Sequence, residues 1–118
     1  MTISKHFNKV GGFKGEEIAV NFLKEKKFKI LERNYSNKIG EIDIIAENKG
    51  VLVFVEVKAR ETLAFGRPAE AVDNRKQQKL RNVAQIYLMA KKKTECDCRF
   101  DVIEILGEKV LQHIENAF

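Results

Sequence analysis

The stretch GEIDIIAENKGVLVFVEVKAR, residues 40–60, decides the fold. It holds two runs rich in Ile and Val, 41–47 and 51–58, separated by Asn48-Lys49-Gly50. Runs of this length and β-branched content, joined by an Asn/Gly turn, predict a β-hairpin. Yet Glu41, Asp43, Glu56 and Lys58 stand inside or at the ends of those strands. Burying an unpaired charge is costly, so four charges in an otherwise apolar hairpin require a reason.

Side chains on a strand alternate between faces, so Glu41 shares a face with Asp43, and Glu56 with Lys58. If Lys49-Gly50 forms a two-residue turn, Asn48 lies opposite Val51. Asp43 then faces Glu56 and Glu41 faces Lys58, with facing Cβ atoms ~4.5–5.5 Å apart. Asn-Lys-Gly also suits a three-residue loop with a bulge, which puts Asp43 opposite Val55 on the wrong side. The charge pattern favours the first register, or one related to it by two residues.

Two carboxylates that close repel one another unless a cation lies between them. A hard divalent ion such as Mg²⁺ or Mn²⁺ takes oxygen ligands and keeps several waters. An adjacent ammonium can orient water or stabilise phosphate charge, which completes a set for metal-assisted phosphodiester hydrolysis. The plainer reading is a row of salt bridges on a wet sheet face. Against it, Leu52, Phe54, Glu56 and Lys58 fall on one face. An apolar face that turns charged at one end describes a core opening into a cleft.

Outward from the hairpin, Ile18, Ala19, Val20, Phe22 and Leu23 form one apolar face and predict a helix over 15–27. Residues 28–34 alternate as a strand, and 34–37 read as a turn. A long helix is predicted over 69–92, with Pro68 at its start and a stripe of Val72, Leu80, Val83, Ala84 and Tyr87. Lys91 to Lys93 suit its C-terminus. CRFDVIEIL, 98–106, is a further strand, and Gly107-Glu108 turns into KVLQHIENAF. Residues 1–12, ending in Gly11-Gly12, read as a flexible N-terminal arm, and 13–118 as a single domain. The order α-β-β-β-α-β-β defines an α/β domain.

With 118 residues, 44% of them hydrophobic and 33% charged, the chain suits one globular core. Its net charge of +5 leans toward polyanionic partners, nucleic acid before others. No apolar window is long enough for a membrane span, and the N-terminus has no apolar secretory segment. Cys96 and Cys98 are poorly spaced for a disulfide, and no further Cys or nearby His completes a metal site with them. A reducing, cytoplasmic setting is the expectation.

Asp43 followed by Glu56-x-Lys58 on the next strand resembles the PD-(D/E)xK nuclease superfamily. The proline of that label is absent: Ile42 precedes Asp43, as in divergent members. More narrowly, several motifs are similar to the YraN-like family of bacterial proteins, related to archaeal Holliday-junction resolvases. They are G-x-x-G-E-x-x-A at 12–19, GEID at 40–43, FVEVKAR at 54–60, FG-x-P at 65–68, RFDV at 99–102 and HIENAF at 113–118. The resemblance implies a restriction-endonuclease-like mixed sheet flanked by helices. It also implies a divalent metal on Asp43 and Glu56, with Glu16 and the backbone carbonyl of Val57 contributing. Resolvases act as dimers, so a homodimer is one assembly the resemblance allows. Fold alone does not establish activity.

Glu16 lies at the margin of the apolar arc of the first helix, where it can lean over the sheet, while Glu17 lies roughly opposite. Alternatively Glu16 only complements the helix dipole. Lys76 falls on the stripe of Leu80, Val83 and Tyr87, one turn earlier; it either reaches the cleft or snorkels to solvent. Arg60, Arg67, Arg75, Lys76 and Lys79, with Arg81, are candidate contacts to nucleic-acid phosphates. His6 and His113 carry no partner pattern. The expectation is a Mg²⁺- or Mn²⁺-dependent DNA endonuclease, with branched or junction DNA as one substrate. Asp43, Glu56 and Glu16 would hold metal, Lys58 would position the attacking water, and Glu41 would steer Lys58. The alternatives are an inactive nucleic-acid-binding module on the same scaffold and a protein-interaction domain.

Overall fold

A computed structural model describes residues 10–61 and 72–118. The elements are α1 (Val10–Glu25), β1 (Lys29–Ser36), β2 (Glu41–Asn48), β3 (Val51–Arg60), α2 (Asn74–Ala90), β4 (Cys98–Leu106) and β5 (Lys109–Ile114). The five strands form one sheet in the order β1-β2-β3-β4-β5. β3 and β4 run parallel, joined by the crossover through α2, and the other neighbours are antiparallel. This is the mixed sheet flanked by helices that the sequence predicts.

Two apolar cores form because the strand residues alternate. Val53, Val55, Ile103 and Ile105 pack with Ala19, Val20 and Leu23 of α1. Leu52, Phe54 and Phe100 pack on the other face with Leu80, Val83, Ala84, Tyr87 and Leu88 of α2. Phe54 and Phe100 are stacked, their centroids 5.3 Å apart. Gly15 brings α1 down onto β3, since a Cβ there would stand 2.8 Å from that of Ala59.

The first hairpin adopts the two-residue turn. Lys49 and Gly50 both take positive φ, 53° and 83°, the signature of a type I′ turn. Asn48 pairs with Val51 and the register continues to Ile44 opposite Val55. The bulged alternative is thereby excluded. At the second hairpin Leu106 pairs with Lys109 across Gly107-Glu108.

Helix ends depart from the sequence reading. α1 begins at Val10 and so takes in Gly11 and Gly12, assigned above to the arm; residues 1–9 lie outside the described ones. It ends at Glu25 because Lys27 turns to φ 72°, and the Phe28 amide bonds back to the Leu23 carbonyl at 2.9 Å. α2 begins at Asn74, not 69, because the Asp73 carboxylate caps it by accepting the Lys76 amide at 2.9 Å. Pro68 and the rest of 62–71 lie outside the described residues.

The C-terminus is fastened from inside. Asp101, fully buried in β4, accepts hydrogen bonds from Arg99 at 2.9 Å and from the Asn116 amide at 3.0 Å. His113 Nε2 stands 2.8 Å from its other oxygen, and the ring packs edge-on against Phe22 and Phe28. His113, which has no partner pattern in the sequence, is therefore a buried structural group.

Candidate functional site at the fork between two strands

The ladder between β2 and β3 stops at Ile44 and Val55, immediately before Asp43 and Glu56. The cause is a reversal of side-chain alternation. Ile44 belongs to the α1 core, whereas Ile42 belongs to the α2 core with Ile45. The partner strand reverses at the same level. Arg33 bonds Glu16 and Glu17 on α1, while Tyr35 packs edge-on against Tyr87 of α2 at 5.1 Å. Asn34, with φ 54°, makes the change in β1, and Asp43 sits at the corresponding place in β2.

At the fork Asp43 replaces the missing rung. Its Oδ2 accepts the backbone N–H of Val57 at 2.8 Å. On the α2 face, Glu56 is buried, and its Oε2 meets two ammonium groups. Lys76 Nζ lies 2.9 Å away and Lys58 Nζ 3.3 Å. Burial opposes charge on Lys76. The hydrogen bond and charge of Glu56, aided by the charge of Asp43, outweigh it and hold the ammonium above the ordinary lysine range. Glu56 thus holds the Lys76 ammonium directly, while Asp43 is bound to the backbone one residue further along β3. Lys76 comes from the first turn of α2 and reaches the cleft, and the Asp73 cap fixes where that turn begins.

Glu16 and Glu41 occupy the other side of the fork. Glu16 is buried and accepts the Asn34 amide at 2.8 Å, with Arg33 at 3.4 Å. Burial pushes its carboxyl above the usual glutamate range, and nearby Glu41 pushes the same way, against Arg33 and Asn34. Glu41 lies beyond the end of the β2–β3 ladder, so no rung sets it opposite Lys58. The pairing expected from regular alternation fails because Ile42 has turned to the α2 core. Glu16 does lean over the sheet, as its helical position predicts, but toward Asn34 and Glu41.

Among the basic candidates, Arg75 and Lys79 are exposed on α2, and Arg60 is half-buried at the end of β3. The stem of Lys79 lies over Gly40, beside the start of β2. Arg81 stands over the rings of Phe100 and Phe118 at 5.5 and 5.4 Å. Arg67 lies outside the described residues.

One group was hidden in the sequence. Glu104 is fully buried, and in the parallel ladder it is the neighbour of Lys58. Its position two residues beyond Val102, which neighbours Glu56, puts it on the face of the lysine–carboxylate cluster. The available signal was an acid flanked by Ile103 and Ile105 in a strand that already carries Arg99 and Asp101.

The donor set suits a hard cation in its chemistry: carboxylate oxygens and a strand carbonyl. Among the described residues no three acidic, imidazole or thiol groups gather into a finished metal cage. The Lys76 ammonium stands on Glu56. Asp43, Glu56 and the Val57 carbonyl would hold a divalent ion there. Both cysteines are free thiols on the surface, remote in role from this cluster.

Fold and site together define a class: a small α/β domain whose mixed sheet splays at one end around a carboxylate–lysine cluster. The family model described as "Uncharacterised protein family UPF0102" matches residues 15–105, and the chain belongs to that family. It is similar to a UPF0102 protein of Clostridioides difficile, 49% identical over 94% of this chain and 98% of the relative. A relative from Alkaliphilus oremlandii is 50% identical over 94% of this chain and 99% of its own length. Another, from Caldanaerobacter subterraneus, is 47% identical over 93% and 95%.

Proposed function

We propose that this protein is a divalent-metal-dependent phosphodiesterase of the PD-(D/E)xK type that cuts DNA. The observation that supports the reading is that Glu56 Oε2 meets both Lys58 and Lys76 while Asp43, on the neighbouring strand, accepts the amide of Val57, the residue next to Glu56. A bound Mg²⁺ or Mn²⁺ would supply charge stabilisation at the scissile phosphate. Lys58, anchored on Glu56, orients the attacking water and offsets charge on the phosphate. Asp43 ties its own position to the Val57 amide, which holds the mouth of the fork in shape. Arg75 and Lys79, exposed on α2, give the phosphate backbone a basic rim, in keeping with the net charge of +5. The likeness to resolvases makes branched or junction DNA the first substrate to try.

A second reading, a nucleic-acid-binding module without catalysis, is favoured by one observation: Glu56 is already neutralised by two ammonium groups. A panel of linear, nicked, flap and four-way-junction DNA with Mg²⁺ or Mn²⁺ separates the two. Cleavage lost in Asp43→Asn, Glu56→Gln and Lys58→Met supports the enzyme. Salt-dependent binding with no cleavage under any metal supports the binder. Absence of both returns the protein to the class of protein-interaction domains.

A further inference from the structure

Glu56, the acid on the α2 face of the fork, is already partnered within the chain, and the manner of it has a consequence for how a metal enters. Glu56 Oε2 carries Lys76 at 2.9 Å and Lys58 at 3.3 Å, so both lone pairs of that oxygen are engaged. Two ammonium groups thus share one carboxylate oxygen, with Asp43 and Glu104 as the neighbouring acids. An ion at ligand distance from Glu56 would crowd an ammonium on the same oxygen.

We propose that Lys76 is the resident counter-ion of the metal seat, and that a divalent cation binds by displacing its ammonium from Glu56. The inference rests on the metal-dependent reading above and deepens it. Lys76 is the one of the two that can leave. Its side chain is 40% exposed and springs from the first turn of α2, whereas that of Lys58 is 21% exposed on the same strand as Glu56. With Lys76 released, Glu56 Oε2 is open to the metal, with Asp43 and Lys58 beside it. The freed ammonium stays tethered at the cleft rim, within reach of that phosphate. Lys76 is thus a positioning residue that alternates between acid and substrate.

Mn²⁺ titration by calorimetry, with a thermal melt in the absence and presence of Mn²⁺, tests this on the full chain. Lys76→Met is expected to bind Mn²⁺ roughly tenfold more tightly than wild type, the effect of removing one competing ion pair. Its melting temperature should rise more on adding Mn²⁺ than that of wild type. Lys58→Met should not tighten binding to that extent, and Glu56→Gln should abolish it. Unchanged or weaker Mn²⁺ binding in Lys76→Met, with wild type still binding through Glu56, overturns the inference and leaves the metal-dependent reading standing. Tightening in Lys58→Met alone overturns the choice of lysine. No Mn²⁺ binding to wild type or to Lys76→Met overturns both.

Discussion

Asp101 and Glu16 are both buried acids, and their surroundings drive them in opposite directions. Burial alone would raise Asp101. Hydrogen bonds from His113, Arg99 and the Asn116 amide outweigh it and hold the carboxyl below the usual aspartate range. Its folded-state pKa lies under the unfolded one, so its contribution to stability is present above the unfolded value and is lost as pH falls through the folded value. Asp101→Asn should cost roughly 3 kcal/mol at pH 7, since it strands the buried partners. Urea unfolding at pH 7 and pH 3 should show the gap to wild type narrowing in acid; an equal gap at both would contradict the assignment. Glu16 is raised by burial and by Glu41. Its contribution is therefore present below the unfolded glutamate pKa and declines as pH rises through the folded value. Glu16→Gln should accordingly be the more stable protein at pH 8, with the advantage vanishing near pH 4. Glu16, Asp43, Glu56 and Lys58 were legible as candidates because charged residues interrupt apolar periods. Glu104 was not, because one acid inside a strand is indistinguishable from an exposed position until the neighbouring strand is known.

Secondary-structure elements were legible to the extent that local chemistry dictated them. Lys49-Gly50 carries the register of the hairpin because only a two-residue turn with both φ positive leaves Asn48 opposite Val51. The reversal of faces at Asn34 and Asp43 was not legible, since it arises from tertiary packing: Tyr35 and Ile42 are drawn to the α2 core, Arg33 to α1. That reversal coincides with the end of the ladder, before Glu41 could pair with Lys58. Helix ends were misplaced for a different reason. Lys27 and Lys92 take the left-handed cap position usually given to glycine, with φ 72° and 57°, so neither end announces itself. Lys27→Gly should remove that backbone strain and stabilise the protein by about 1 kcal/mol in chemical denaturation. A destabilised variant would mean that the lysine side chain contributes more than its backbone conformation costs.

At the scale of the molecule, two helices cover opposite faces of a sheet that stays closed along the apolar runs and parts where the charges begin. The α1 side supplies Glu16, the fork Asp43, and the α2 side Lys76, so the site exists only when both cores are assembled. Gly15 is a point of close approach between α1 and β3. Gly15→Ala gains helix propensity, yet its methyl would overlap Ala59, and a net loss of about 1 kcal/mol is expected. Pairing it with Ala59→Gly should recover part of the loss; no recovery would place the strain elsewhere. No helix among the described residues is long and apolar enough to cross a membrane. The central claim is that Asp43 and Glu56 form a metal seat for phosphodiester cleavage. Its most direct test is the initial rate of Mn²⁺-dependent cleavage of an end-labelled four-way junction by wild type and by Glu56→Gln. The account predicts metal-dependent cleavage by wild type and a loss of roughly a hundredfold or more in the variant, whose fold is retained. Metal-dependent cleavage at an undiminished rate in Glu56→Gln would contradict it.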